Sequence, residues 1–438
     1  MPRLEPEQSV GTRRAPAVER WPDLVAPPRG PRAAVASRIA RRLFLAAVGR
    51  LHVTVHLEGE TLGMGGPAMT VRDPEEFFGR IGRDGLIGFG EGYMTGAWEA
   101  DDLAAFLTVL ASDIADLVPR RLQRLRAFYV AKRPHLHRNT EDNTRSNIAH
   151  HYDLSNDLFR LFLDETLSYS SALFPASVID RDDHLAVLPP EDTDDLAAAQ
   201  GRKIERLLDD AGVGEGSRVL EIGTGWGELA IRAARRGATV HSITLSTEQQ
   251  ALARRRIAEA GFADRVEVEL CDYRAVQGEY DAVVSVEMIE AVGAEYWSTY
   301  FATIDRVLAP GGKVAIQAIL MPHDRMVATQ GTHTWITKYI FPGGMLPSVE
   351  AIDQVTREDT TLRLTGRTSF GLHYAETLRI WDERFRAASP QVRALGFDET
   401  FERMWHFYLE YSRAGFASGY LDVQQLVLTR DETGEGVA

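Results

Sequence analysis

The run Val219-Leu220-Glu221-Ile222-Gly223-Thr224-Gly225-Trp226-Gly227 has the composition of a strand that empties into a glycine turn and then a helix. Glycine suits such a turn because a Cβ would keep a ligand off the backbone, and the following helix start presents unpaired N–H groups. A bare glycine turn is a weak signal, since any tight turn uses the same residues. Two details sharpen it. The third glycine comes one residue earlier than in the dinucleotide fingerprint, and Glu221 stands directly ahead of the loop. A carboxylate there repels phosphate and favours a cationic or neutral ligand, which points to the sulfonium of S-adenosylmethionine.

The elements that must hold this loop are legible around it. Ser217–Ile222, Thr239–Thr244, Val266–Leu270, Tyr280–Val286 and Gly312–Ala318 read as strands, and Ala197–Ala211, Glu228–Arg236, Ser246–Glu259 and Tyr296–Leu308 as helices. Alternation at this spacing predicts an α/β domain with a parallel sheet and right-handed crossovers. Ile340–Gln354 reads as a loop, and Thr361–Phe370, Glu376–Ala388, Phe401–Ser418 and Gln424–Thr429 form a C-terminal extension. Upstream, Val35, Ile39, Leu43, Phe44 and Val48 recur at helical spacing over Ala33–Val48, beside Arg38, Arg41 and Arg42. Leu51–Leu57 alternates as a strand, while Gly63, Gly65-Gly66 and Gly82 mark turns of a small α/β or α+β module, and Asp101 to about Phe128 reads as mostly helical. Residues 1–31 carry seven of the 19 prolines and no periodic apolar face, so they read as a disordered lead-in. The expected units are therefore 1–31, an N-terminal module with its linker over 32–139, and a catalytic domain over 140–438.

The chain has 438 residues and a formal charge of −14, which argues against a nucleic-acid binder. That total hides two basic stretches. Residues 1–50 hold ten arginines against four acids, and residues 120–138 hold seven Arg or Lys and no acid. Either stretch reads as solvated surface or linker, or as a patch that meets anionic phospholipid. The single cysteine, Cys271, excludes an internal disulfide and a cysteine-only metal cluster. His, Asp and Glu form no convincing ligand set, so no catalytic metal is expected. With no long apolar run and no signal-peptide core, the expected location is the cytoplasm.

Dispersed segments carry a family resemblance. They are His150-His151-Tyr152-Asp153-Leu154-Ser155-Asn156-Asp157-Leu158-Phe159, Leu167-Ser168-Tyr169-Ser170-Ser171, Ile243-Thr244-Leu245-Ser246-Thr247-Glu248-Gln249-Gln250, Cys271-Asp272-Tyr273-Arg274, Glu287-Met288-Ile289-Glu290-Ala291-Val292-Gly293 and Lys338-Tyr339-Ile340-Phe341-Pro342-Gly343-Gly344. Together with the glycine loop they resemble class I S-adenosylmethionine methyltransferases and, more narrowly, cyclopropane-fatty-acyl-phospholipid synthases, over residues 140–438. The resemblance implies a Rossmann-like catalytic domain in which Gly223, Gly225 and Gly227 approach the cofactor. Tyr169 and Ser170 would close its pocket, with Thr244, Leu245, Ser246 and Gln249 near the ribose and methionine and Asp272 and Tyr273 near the adenine. Read as residues alone, Tyr169 and Tyr273 also suit a core, and Ser246 and Asp272 also suit caps.

The family's reaction is attack of an acyl-chain alkene on the sulfonium methyl, leaving a carbocation that must lose a proton to a base. The resemblance places Glu290, His150, Ile319 and Tyr374 near that chemistry, in a pocket where cyclopropane synthases hold a bicarbonate ion as base. Three positions depart from the pattern: Ser171 stands where a cysteine is common, Gln317 where a histidine is common, and Ala291 where a histidine is common. These departures stand against a direct carry-over of the bicarbonate mechanism. Glu290 is the leading base or organiser of the base, with a structural ion pair as its bland reading. Glu141 and Asp142 read first as solvated acids and second as a substitute proton acceptor. The sequence looks closer to the actinobacterial branch that makes 10-methylene acyl chains, which a separate flavin-dependent reductase converts to 10-methyl chains; ring closure to a cyclopropane is the alternative. The implied partners are an unsaturated phospholipid, an anionic membrane at the inner face of the cell membrane, and a second copy of the chain in a homodimer.

Overall fold

The structure, a computed structural model, describes residues 21–112 and 155–431. The expectations for the lead-in before Trp21, the basic segment 120–138, Glu141, Asp142 and His150 lie outside those residues. The N-terminal module opens with the helix Pro31–Val48 and contains β1 (Thr54–Leu57), β2 (Glu60–Leu62), β3 (Ala68–Val71) and β4 (Trp98–Ala100). These strands form one sheet in the order β2-β1-β3-β4, with the helices Pro74–Asp84, Leu86–Met94 and Leu103–Ser112 beside it. Gly82 is not a turn: it lies inside Pro74–Asp84, where a Cβ would sit 2.6 Å from the Ala36 carbonyl carbon. Its absence lets the two helices approach backbone to backbone. Among the described residues no helix is long and apolar enough to cross a membrane.

The larger sheet contains β5 (Val178–Arg181), β6 (His184–Val187), β7 (Arg218–Ile222), β8 (Thr239–Thr244), β9 (Val266–Leu270), β10 (Tyr280–Val286), β11 (Leu308–Leu320), β12 (Leu362–Ser369) and β13 (Asp422–Arg430). Its order is β5-β6-β12-β13-β11-β10-β7-β8-β9. The five strands from β9 to β11 run parallel, as expected. Their central members are buried on both faces, which is why Val219–Ile222 and Ala282–Ser285 are nearly continuous in apolar or small residues. The C-terminal strands depart from the parallel expectation: β13 runs antiparallel to both β11 and β12, and the hairpin β5–β6 extends the edge. Helices still separate the strands after β11, but β13 inserts between β11 and β12 and runs against both, so these connections no longer build neighbouring parallel pairs. Ile340–Gln354 is a loop only in its first part, because Ser348 accepts from the Ala351 N–H at 3.0 Å and caps the helix Val349–Asp359.

The C-terminal helices Gly371–Ala387 and Glu399–Ala417 join the module to the sheet. Trp98, Phe106, Trp335, Trp405 and Phe407 are buried in one continuous cluster. Arg403 Nε donates to the Tyr93 carbonyl at 2.7 Å, and a Cβ on Gly90 would meet Trp335 Cδ1 at 2.5 Å. The fully buried Glu91 carboxylate ties the same seam by accepting from Lys338 Nζ at 2.7 Å and from the Tyr339 hydroxyl at 2.9 Å. A charge taken out of water needs this many partners.

Candidate active site

The strand order reverses its winding between β7 and β10, and ligands in open α/β sheets bind outside the carboxyl ends of strands at such a point. The glycine loop leaves β7 there. Gly223 has φ 101° and a Cβ would strike Met288 Cγ at 2.6 Å, so the loop and the end of β10 touch. Gly225 has φ 52° and nothing within 4 Å of a built Cβ, which leaves its backbone open to a ligand. Gly227 is the N-cap of the helix Glu228–Arg235. This cradle of bare backbone at a helix start fits S-adenosylmethionine.

The other expected cofactor residues are each held by contacts of their own. Glu221 is buried and accepts from Ser242 Oγ at 2.5 Å; Ser242 Oγ also lies 2.7 Å from Thr224 Oγ1. Burial pushes the Glu221 carboxyl up to about 8. It is tied to β8 rather than presented to open space. Thr244 Oγ1 donates to Gln249 Oε1 at 3.0 Å and accepts from the Ser246 N–H at 3.1 Å, which fixes the turn through half-buried Leu245. Ser246 caps the helix Thr247–Glu259 by accepting from the Gln249 N–H at 3.2 Å. Asp272 is both a cap for Tyr273–Ala275 and the ion-pair partner of Arg274 at 2.6 Å. Tyr273 packs edge-on against Tyr300 at 5.4 Å. Tyr169 stacks on Trp381 at 5.3 Å and shares a 2.8 Å hydrogen bond with the Tyr408 hydroxyl. Ser170 Oγ accepts from Lys203 Nζ at 2.6 Å.

The structure gathers Ser171, Gln317, Ile319, Glu290 and Tyr374 beside this loop, from a loop, the C-terminal end of β11, a short helix and a long one. Glu290 Oε1 accepts from the Ile319 N–H at 2.5 Å, while its buried Oε2 has no hydrogen-bond partner. Burial first, and the nearby charge of Glu287 second, push the Glu290 carboxyl up to about 8. Ser171, Gln317 and Tyr374 do not converge on Glu290; they converge on Glu287. Its Oε1 accepts from the Ser171 N–H at 2.9 Å and from Gln317 Nε2 at 2.8 Å, and its Oε2 accepts from the Tyr374 hydroxyl at 2.7 Å. Burial raises the Glu287 carboxyl despite these three donors. The Tyr374 ring is stacked on Phe416 at 4.5 Å and buried, and it too is raised, by burial and by Glu287.

Two residues with evident roles in this network escaped the sequence reading. Glu287 left one signal, a second acid three residues ahead of Glu290 at a strand end. Lys203 left none, since a lysine inside a helix reads as solvated. It is buried, and desolvation lowers its ammonium to about 8.

Residues 139–426 match the family model described as mycolic acid cyclopropane synthetase. The chain is 54% identical over 417 residues to the tuberculostearic acid methyltransferase UfaA1 of Mycobacterium tuberculosis, covering 94% of this chain and 96% of that one. It is 34% identical over 379 residues to the cyclopropane-fatty-acyl-phospholipid synthase of Escherichia coli, covering 84% and 89%. Among solved structures, the cyclopropane synthase MmaA2 from Mycobacterium tuberculosis superposes with a TM-score of 0.56 at 30% identity, over 68% of this chain and 98% of that one. The mycolic acid cyclopropane synthase CmaA1 complexed with SAH and CTAB gives the same TM-score, 0.56, at 30% identity and the same coverage, 68% and 98%.

Proposed function

The chain belongs to the mycolic acid cyclopropane synthetase family of S-adenosylmethionine-dependent methyltransferases, and from that premise we propose that it adds a one-carbon unit to the double bond of a phospholipid-bound acyl chain, giving a 10-methylene product. The observation that carries this reading is a cofactor cradle in direct contact with a carboxylate pair: Gly223 abuts Met288, between half-buried Glu287 and buried Glu290. S-adenosylmethionine supplies the electrophilic methyl. The residues of this chain then have to exclude water from the chain cation and accept one proton. The Tyr169–Trp381 and Tyr374–Phe416 stacks offer aromatic surface beside the carboxylates, suited to a transient positive charge.

The methylene product is favoured by the 54% identity to a tuberculostearic acid methyltransferase; the E. coli relative keeps cyclopropane formation as the second reading. The two products have the same mass, so proton signals must separate them. Incubation with S-adenosylmethionine and dioleoyl phosphatidylglycerol should add one carbon and two hydrogens per modified chain and give exocyclic methylene signals. Cyclopropyl signals would select the second reading, and unmodified chains would reject both.

Access to a membrane substrate fits the first described helix. Val35, Ile39 and Leu43 lie one turn apart and are 55%, 50% and 44% exposed, next to exposed Arg38 and Arg42. Phe44 and Val48, expected on the same stripe, pack inward instead. An apolar row flanked by cations suits an anionic bilayer. On this reading residues 32–139 form the lipid-facing module and 140–438 the transferring domain, at the inner face of the cell membrane. Two copies would engage one bilayer patch, and a separate flavin-dependent reductase would take the methylene product onward.

A further inference from the structure

Loss of a proton from the chain cation requires a base, and the site contains one already positioned. Glu287 follows β10 directly, one residue from the side chain that abuts Gly223. Its φ of 51° lies in the left-handed region, which costs a non-glycine residue about 1 kcal/mol. Three donors from three separate segments hold the carboxylate against that cost. Oε1 accepts two hydrogen bonds and is saturated, whereas Oε2 accepts only that of Tyr374 and keeps one acceptor position. Part of the residue's surface stays accessible.

A free bicarbonate does not fit the same place. The Ser171 N–H, Gln317 amide and Tyr374 hydroxyl are engaged by Glu287, and the Ile319 N–H is engaged by Glu290. These are the positions that resemblance would put around the ion, and a carboxylate of the chain holds them instead. An added anion would meet Glu287 in its place, with those four donors already taken.

We propose that Glu287 is the proton acceptor of the transfer, built into the chain in place of a diffusible ion, so that turnover does not depend on bicarbonate. This rests on the acyl-chain reading above. The alkene π pair forms the new C–C bond as the S–CH3 pair returns to sulfur. The hydrogen on the newly methylated carbon shifts with its electron pair to the adjacent cationic carbon; a C–H bond of the new methyl then yields its pair to close the exocyclic double bond, and its proton passes to Glu287 Oε2. The neutral acid returns that proton to solvent before the next cycle. Ser171, Gln317 and Tyr374 are positioning residues that hold the carboxylate, and Glu290 Oε2, buried without a hydrogen-bond partner, lies outside that set.

The full-length protein is assayed on dioleoyl phosphatidylglycerol vesicles with S-adenosylmethionine, in carbon-dioxide-depleted buffer and with added bicarbonate. Wild-type turnover is expected to be equal in the two within about twofold. Glu287→Gln should retain S-adenosylmethionine binding by calorimetry and lose at least about a hundredfold in turnover. Glu287→Gly relieves the positive φ and empties the carboxylate's place among its donors, so its slow turnover should be restored by bicarbonate or formate. A wild-type enzyme that stops without bicarbonate, or a Glu287→Gln variant as active as wild type, overturns the inference while leaving the substrate reading intact. Wild-type protein that modifies no acyl chain sinks the substrate reading and this inference with it.

Discussion

Two buried carboxyl groups near the loop respond to pH in ways that separate structural from chemical roles. Glu221 is held near 8 by burial, above its ordinary value of 4.5. Below 4.5 it is neutral in folded and unfolded chains alike; as pH rises, the unfolded chain releases the proton first, so stability falls until the folded group also ionises. Glu221→Gln should therefore gain on wild type by about 4 kcal/mol between pH 5 and pH 9, read as unfolding midpoints of the cofactor-free protein. A difference independent of pH would show that Glu221 is charged in the fold. Glu290→Gln keeps an acceptor for the Ile319 N–H but carries no titrating proton. Its turnover should drop by about ten- to a hundredfold with little change in S-adenosylmethionine affinity, and unchanged turnover would remove Glu290 from the site.

At the scale of elements, close backbone approach fixes how the N-terminal helices sit. A methyl at Gly82 would lie 2.6 to 2.8 Å from the backbone of Ala36 and Ser37, and neither helix can yield locally. Helix propensity gains about 1 kcal/mol from Gly82→Ala, whereas overpacking costs more, so a net loss of about 2 kcal/mol is expected in thermal unfolding. Gly214 has an ordinary φ and nothing within 4 Å, which makes Gly214→Ala the neutral control. Equal midpoints for the two variants would mean that the helix Pro31–Val48 moves aside freely. The sequence signalled glycine at position 82 but not its reason, because a turn and a tight helix crossing call for the same residue.

The whole molecule sets one apolar row outward while its core closes elsewhere. Ile39 and Leu43 are half exposed, so replacing both with glutamate should leave the unfolding midpoint unchanged. Sedimentation with anionic vesicles should fall by at least about tenfold, since apolar burial is lost and charge attraction is reversed. Wild-type binding should weaken at high salt as screening shortens the reach of the arginines. Undiminished vesicle binding by the double variant would move the lipid-facing surface elsewhere. Gly82 packs the module against this helix, and the seam around Glu91 and Trp335 ties the module to the body that holds the site.

The sequence by itself determined the α/β alternation, the glycine loop and its cofactor, and the family, because these are local patterns: apolar periodicity, a turn chemistry and a motif each need only neighbouring residues. It also named Ser171, Gln317, Ile319, Glu290 and Tyr374 as one pocket, through resemblance. What those residues hold was decided by tertiary structure alone. Glu287, Ser171, Gln317 and Tyr374 are separated by up to 203 positions between Ser171 and Tyr374, and only the parallel packing of β10 against β11, closed over by the helix Gly371–Ala387, brings their hydrogen-bonding atoms within 3 Å. Lys203 was illegible for the same reason, since burial of a charge is a property of the assembled fold and leaves no mark on its sequence neighbours.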